Sequence, residues 1–147
     1  MQSTLIWHRY GDGYVCDHDG LSATATDMGF HARKDGACIK RTATGDVLPN
    51  SLRECEATLW REDILPLPDW FKSPDPDEPY SYSCNVGEVG AWVERSPDSV
   101  RWYWSVRVAP EPYKYAKGKA ETKGEAMRRA HMIMRAVLAD ELTRVHP

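Results

Sequence analysis

Strict alternation of apolar and polar positions is clearest between Val100 and Val108. There Val100, Trp102, Trp104, Val106 and Val108 alternate with Arg101, Tyr103, Ser105 and Arg107. Period two is the pattern of a strand with one buried and one wet face. Ala91-Trp92-Val93-Glu94 reads as its partner, connected through Ser96-Pro97-Asp98-Ser99, a turn-forming tetrapeptide. With Ser96 opposite Ser99, Val93 faces Trp102, Ala91 faces Trp104 and Glu94 faces Arg101. That register puts Trp92 beside Tyr103 on the outer face.

The period then changes. Ala126, Ala130, Ile133, Val137 and Leu138 fall at helical spacing, and Thr122-Lys123-Gly124-Glu125 ahead of them has the S/T-x-x-E spacing of a capping box. The same signature recurs at Ser51-Leu52-Arg53-Glu54, which opens a helix to about Ile64 with Leu52, Cys55 and Leu59 buried. Before it come short strand candidates at Leu5–Tyr10, Tyr14–Cys16, Leu21–Thr26, Phe30–Lys34 and Ala37–Ala43. Asp17-His18-Asp19-Gly20 and Asp35-Gly36 mark turns between them.

Strands followed by a capped helix thus occur twice, with the capping boxes 71 residues apart. The expected fold is α+β: two small antiparallel-sheet-plus-helix modules of βββα type, related by internal duplication. The expected boundaries are 1–65 and 87–147 for the modules and 66–86 for a connector. That connector holds Pro66, Pro68, Pro74, Pro76 and Pro79 with Trp70, Phe71, Tyr80 and Tyr82. Proline excludes regular helix there, and Ser73–Glu78 should be exposed.

Composition narrows the class. A hydrophobic content of 41% and a charged content of 28% belong to a globular chain of 147 residues, not to a disordered one. No apolar run approaches the roughly 20 residues of a membrane span, and no secretory pattern opens the sequence, so a cytoplasmic location without membrane contact is expected. Net charge is −3, unevenly placed: residues 1–65 carry −3, 66–86 carry −3 and 87–147 carry +3. Such values fall short of the strongly basic surface of a protein dominated by phosphate contacts.

Candidate chemistry is sparse. Cys16, Cys38, Cys55 and Cys84 include no C-x-x-C pair, and in a cytoplasmic chain they should be reduced. Cys16 and His18 are the one local pair of ligand types, but zinc needs further ligands at characteristic spacing, and no metal or other cofactor is expected. The chain has no G-x-S-x-G, phosphate-binding loop, G-x-G-x-x-G or H-E-x-x-H motif, so it is not expected to be an enzyme.

Two binding classes remain. Lys123, Arg128, Arg129 and Arg135 on the last helix, Arg101 and Arg107 on the sheet, and Lys114, Lys117 and Lys119 in a loop could form a basic patch. Trp92 and Tyr103 could then stack bases of a nucleic acid. The favoured expectation is a non-catalytic module that binds a protein partner. Its contacts would be Trp92, Tyr103, Arg101 and Arg107, with Arg128, Arg129 and Arg135 second, because aromatics beside arginines make interface hot spots. Accessory proteins of phages and mobile elements share this profile. Some of them inhibit host defence nucleases, in anti-CRISPR or anti-restriction fashion, by occupying their surface.

Overall fold

A computed structural model describes residues 5–11, 13–18, 20–26, 29–35, 37–42, 49–109 and 115–143. The chain divides into two compact units, residues 1–65 with 139–147, and residues 66–138. The α+β class holds: each unit contains an antiparallel sheet whose strands pair in chain order.

Sheet A consists of β1 (His8–Tyr10), β2 (Gly13–His18), β3 (Leu21–Thr26), β4 (Gly29–Lys34) and β5 (Ala37–Thr42). From β2 onward the strands begin every eight residues, at 13, 21, 29 and 37, because each six-residue strand is followed by two residues before the next. Tight hairpin connections favour positive φ to match the strand twist, and Gly20 (φ 79°) and Asp35 (φ 52°) supply it. Asp17 and His18, expected in a turn, close β2, with His18 opposite Leu21. Across the sheet Cys16 pairs with Ala23 and Ala23 with Ala32, and all three are buried.

Helix α1 (Pro49–Arg61) follows sheet A. Ser51 lies inside this helix rather than at its cap. Pro49 opens it, since proline's fixed φ and missing N–H suit the first turn. Cys55 and Leu59 are buried as expected, with Glu56, Ala57 and Trp60, whereas Leu52 is only half-buried. The helix ends in a Schellman motif: Ile64 N–H donates to the Leu59 carbonyl (3.0 Å) and Asp63 N–H to that of Trp60 (3.3 Å). Asp63 holds the left-handed position at φ 59°, where glycine is commonest.

Sheet B consists of β6 (Phe71–Lys72), β7 (Ser81–Val86), β8 (Val89–Glu94), β9 (Trp102–Val108) and β10 (Tyr115–Ala120), followed by α2 (Lys123–Thr143). Both sheets therefore exceed the three strands of a βββα module, although the five strands of sheet A each answer to one of the five strand candidates read ahead of the first helix. Two of those in sheet B, β6 and β7, arise from the stretch expected to be a connector. Prolines interrupt that stretch only up to Pro79, and the proline-free Ser81–Val86 is free to donate to the β8 ladder. Of Ser73–Glu78, expected to be exposed, Pro74–Glu78 is exposed and Ser73 is half-buried.

The central hairpin corrects the expected register. Ser99 N–H does close a turn on the Ser96 carbonyl (3.1 Å). The strands begin two residues further out, so Val93 pairs with Trp104, Ala91 with Val106 and Glu94 with Tyr103, not Arg101. Val100 lies before β9 and is 79% exposed. A shift of two leaves every side chain on its face, because the pleat has period two.

The inner face of sheet B carries Cys84, Val89, Ala91, Val93, Val106 and Val108, all buried, and α2 packs on it. Within this unit the buried stripe of α2 is Ala126, Ala130, Met134 and Leu138. Ile133 and Val137, expected in it, are half-buried. Thr122 caps the helix, its Oγ1 accepting from Glu125 N–H (3.1 Å), but the reciprocal half of the box is not made. The Glu125 carboxylate instead takes Arg129 at 2.6 Å. Among the described residues no helix is long and apolar enough to cross a membrane.

Candidate binding face

Opposite α2, the outer face of sheet B is a grid set by cross-strand pairing. One row runs Phe71, Ser83, Trp92, Ser105, Lys117; the next runs Ser81, Glu94, Tyr103, Lys119. Beyond Trp92 lies a third row, Asn85, Gly90, Arg107. Period two thus brings Trp92, Tyr103 and Arg107 together, as the sequence pattern implied.

Gly90 decides how Trp92 lies. A Cβ on residue 90 would stand 2.6 Å from Cη2 of Trp92 and 2.7 Å from Oδ1 of Asn85. The indole therefore rests against bare backbone that any side chain would obstruct. The guanidinium carbon of Arg107, the strand partner of Gly90, sits 4.1 Å from the centroid of the Trp92 ring. The indole is held between a glycine and an arginine. The cation gains about 0.5–1 kcal/mol from the ring at an exposed site.

Because Trp92 leans toward Gly90, the other side of its row is left hollow. Small Ser105 forms the floor between Trp92, Glu94, Tyr103, Lys117 and Lys119, and the recess has a volume of about 460 Å³. Tyr103 is 39% exposed, and Lys119 Nζ lies 5.8 Å from its ring centroid. Phe71, at the far end of the row, is 64% exposed. Among the described residues the grid carries three cations, Arg107, Lys117 and Lys119, and one carboxylate, Glu94.

The other expected contact residues are placed differently. Arg101 is exposed but precedes β9, its N–H bonded to Ser99 Oγ (3.1 Å). Arg128, Arg129 and Arg135 are on α2, across the sheet from Trp92, so the two groups do not form one surface. Arg129 is engaged within the unit, donating to Glu125 and to the Lys119 carbonyl (2.9 Å). Lys117 and Lys119 belong to a strand rather than a loop, and Lys114 lies outside the described residues. Sequence reasoning passed over Gly90, Ser105, Glu94 and Phe71 as site residues. Only the small residue two places from Trp92 hinted at a close approach.

On the inner side Arg95 lies over Tyr80 (4.1 Å), and Tyr80 meets Trp102 edge-on at 6.2 Å. Trp70 stacks on His131 at 4.8 Å. These aromatics tie the proline-rich stretch and the β8–β9 loop to the unit's own core.

Cys16, Cys55 and Cys84 are buried free thiols. Burial raises all three; Glu56 and Asp17 add to the effect at Cys16, and Asp69 at Cys84, whose thiol donates to the Pro68 carbonyl (3.3 Å). Raised, enclosed thiols are poor nucleophiles. Among the described residues no group of three or more His, Cys, Asp or Glu side chains could hold a metal ion. Comparison of the chain with protein-family models, with curated proteins and with solved structures found no match.

Proposed function

We propose that this chain is a non-catalytic binding module that recognises a protein partner through the outer face of sheet B. The observation that carries this reading is the Arg107–Trp92 contact, an arginine packed on a tryptophan on the exposed side of the sheet. Interface energy concentrates in such anchors, and side chains ordered before contact lose little entropy when the partner arrives. Exposed Phe71 and Tyr103 extend the apolar area on either side.

The charge on this face suits an acidic partner. The basic groove of a nuclease would be repelled by Arg107, Lys117 and Lys119. A phage-type inhibitory role against host defence would therefore fall to the exposed acidic turn at Asp75, Asp77 and Glu78. The repeated order of five sequentially paired strands and a helix supports, as part of the same reading, one plan used twice.

Nucleic acid is the second reading, favoured by Lys119 beside the exposed ring of Tyr103. Stacking a base on Trp92 would first have to displace Arg107. The two readings separate in an affinity capture from nuclease-treated lysate, comparing the natural chain with Arg107→Ala and with a Trp92→Ala/Tyr103→Ala variant. A protein retained after nuclease and lost in both variants supports the first. Recovery that disappears with nuclease, and falls steeply with salt, replaces it with the second.

A further inference from the structure

We propose that the recess over Ser105 is a binding site for a small planar aromatic anion of the nucleoside monophosphate class. Its volume of about 460 Å³ lies within the range of about 300–1,000 Å³ typical of small-molecule sites. Its walls are chemically divided. The exposed ring of Tyr103 and the Trp92 indole, whose face Arg107 covers, line it together with Lys117 and Lys119 from β10.

Neighbouring strands are spaced about 4.8 Å apart, so Trp92 and Lys117, on strands either side of β9, stand about 9.6 Å apart at the backbone. That span accommodates a ring and its anionic group side by side across the Ser105 floor. Lysine acts on phosphate as a compact point charge that needs no planar match. Glu94 shares the cross-strand row of Tyr103 and Lys119 and opposes additional negative charge. One phosphate is therefore favoured over a polyphosphate chain, and the carboxylate is placed to accept from an amino or hydroxyl group of the ligand.

The site exists only because three small choices coincide. Gly90 draws the Trp92 indole aside, Ser105 leaves the floor low, and the two lysines share one face of β10. It does not depend on the protein-partner reading, and its test uses the chain alone.

The experiment is a titration of the full chain with adenosine 5′-monophosphate, followed by calorimetry and by amide shifts. Adenosine and inorganic phosphate serve as separate probes. The monophosphate should saturate with a dissociation constant at or below about 1 mM, with adenosine and phosphate each about tenfold weaker. Shifts should centre on Trp92, Tyr103, Ser105, Lys117 and Lys119. Lys117→Ala/Lys119→Ala removes the cations and keeps the hollow; Ser105→Ile fills the hollow and keeps the cations. Each should weaken the monophosphate about tenfold or more.

A single-stranded oligonucleotide displaced by the monophosphate would place the ligand within a strand; monophosphate binding without oligonucleotide binding would make it a free nucleotide. Absence of saturable binding, shifts centred elsewhere, or binding unchanged in both variants would overturn the proposal.

Discussion

The guanidinium carbon of Arg107 lies 4.1 Å from the centroid of the Trp92 ring, and the edge of that indole lies against Gly90, where a Cβ would stand 2.6 Å from Cη2. The contact joins neighbouring strands on the exposed face, so its worth can be measured without disturbing the core. Arg107→Ala should lower the unfolding free energy by about 0.5–1 kcal/mol. Arg107→Lys should recover only part of it, since an ammonium cannot lie flat on the ring. Urea denaturation of the three proteins checks this, and equal stability of all three would show the stack to be energetically idle.

Gly90→Ala should be costlier. The added methyl would meet Trp92 and Asn85 at 2.6–2.7 Å, well inside contact distance. The indole must swing off its seat, away from Arg107 and toward the Ser105 hollow. A loss of about 1–3 kcal/mol is expected, as for other overpacked sites. Indole N–H resonances should report the movement of Trp92, and an unshifted spectrum would contradict it.

At the start of α2, Thr122→Ala removes the Oγ1 acceptor of the Glu125 N–H. The expected cost is about 1 kcal/mol. Glu125→Gln should cost less than that cap, and its cost should weaken further in high salt, because the carboxylate serves half-buried Arg129 rather than the helix start. Denaturation midpoints with and without salt distinguish the two contributions.

Stability should fall in alkali. Burial pushes the Cys55 thiol up to about 11 from an ordinary value of 9.0, with Glu54 adding to the effect. The unfolded chain therefore releases this proton first. The stabilisation is complete below about pH 9 and is lost as pH rises through about 11, a change on the order of 2–3 kcal/mol. Cys16 and Cys84 act in the same direction. Urea denaturation under reductant at rising pH should show the decline, and Cys55→Ala should flatten it. An unaltered slope in that variant would assign the decline to other groups.

Much of the binding face was legible because alternation survives an even slip in register. Val93 was expected opposite Trp102 and pairs with Trp104, yet Trp92, Tyr103 and Arg107 still share the outer side. The Thr122 cap was legible for a similar reason, since it depends on residues three apart. The strands β6, β7 and β10 were not. Phe71–Lys72 and Ser81–Val86 sit amid prolines, and Tyr115–Ala120 holds small residues and lysines whose alternation is weak in isolation. Their pairing comes from the neighbouring β8 and β9 ladders, which supply the partners their own composition does not announce.

What the sequence determined by itself is periodicity: which positions turn inward along the central hairpin, where α2 begins, and that the chain is α+β. Those properties follow from side-chain spacing within one element, which the chain carries locally. The tertiary structure decided what distance along the chain conceals. It added β6, β7 and β10 to sheet B, separated Arg128, Arg129 and Arg135 from Trp92 by a layer of sheet, and carried Lys117 and Lys119 to the rim of the Ser105 hollow. The tilt of Trp92 came from the same source. It depends on Gly90 beneath it and on Arg107, fifteen residues further along the chain, above it. Only closure of the β8–β9 ladder brings those groups within contact.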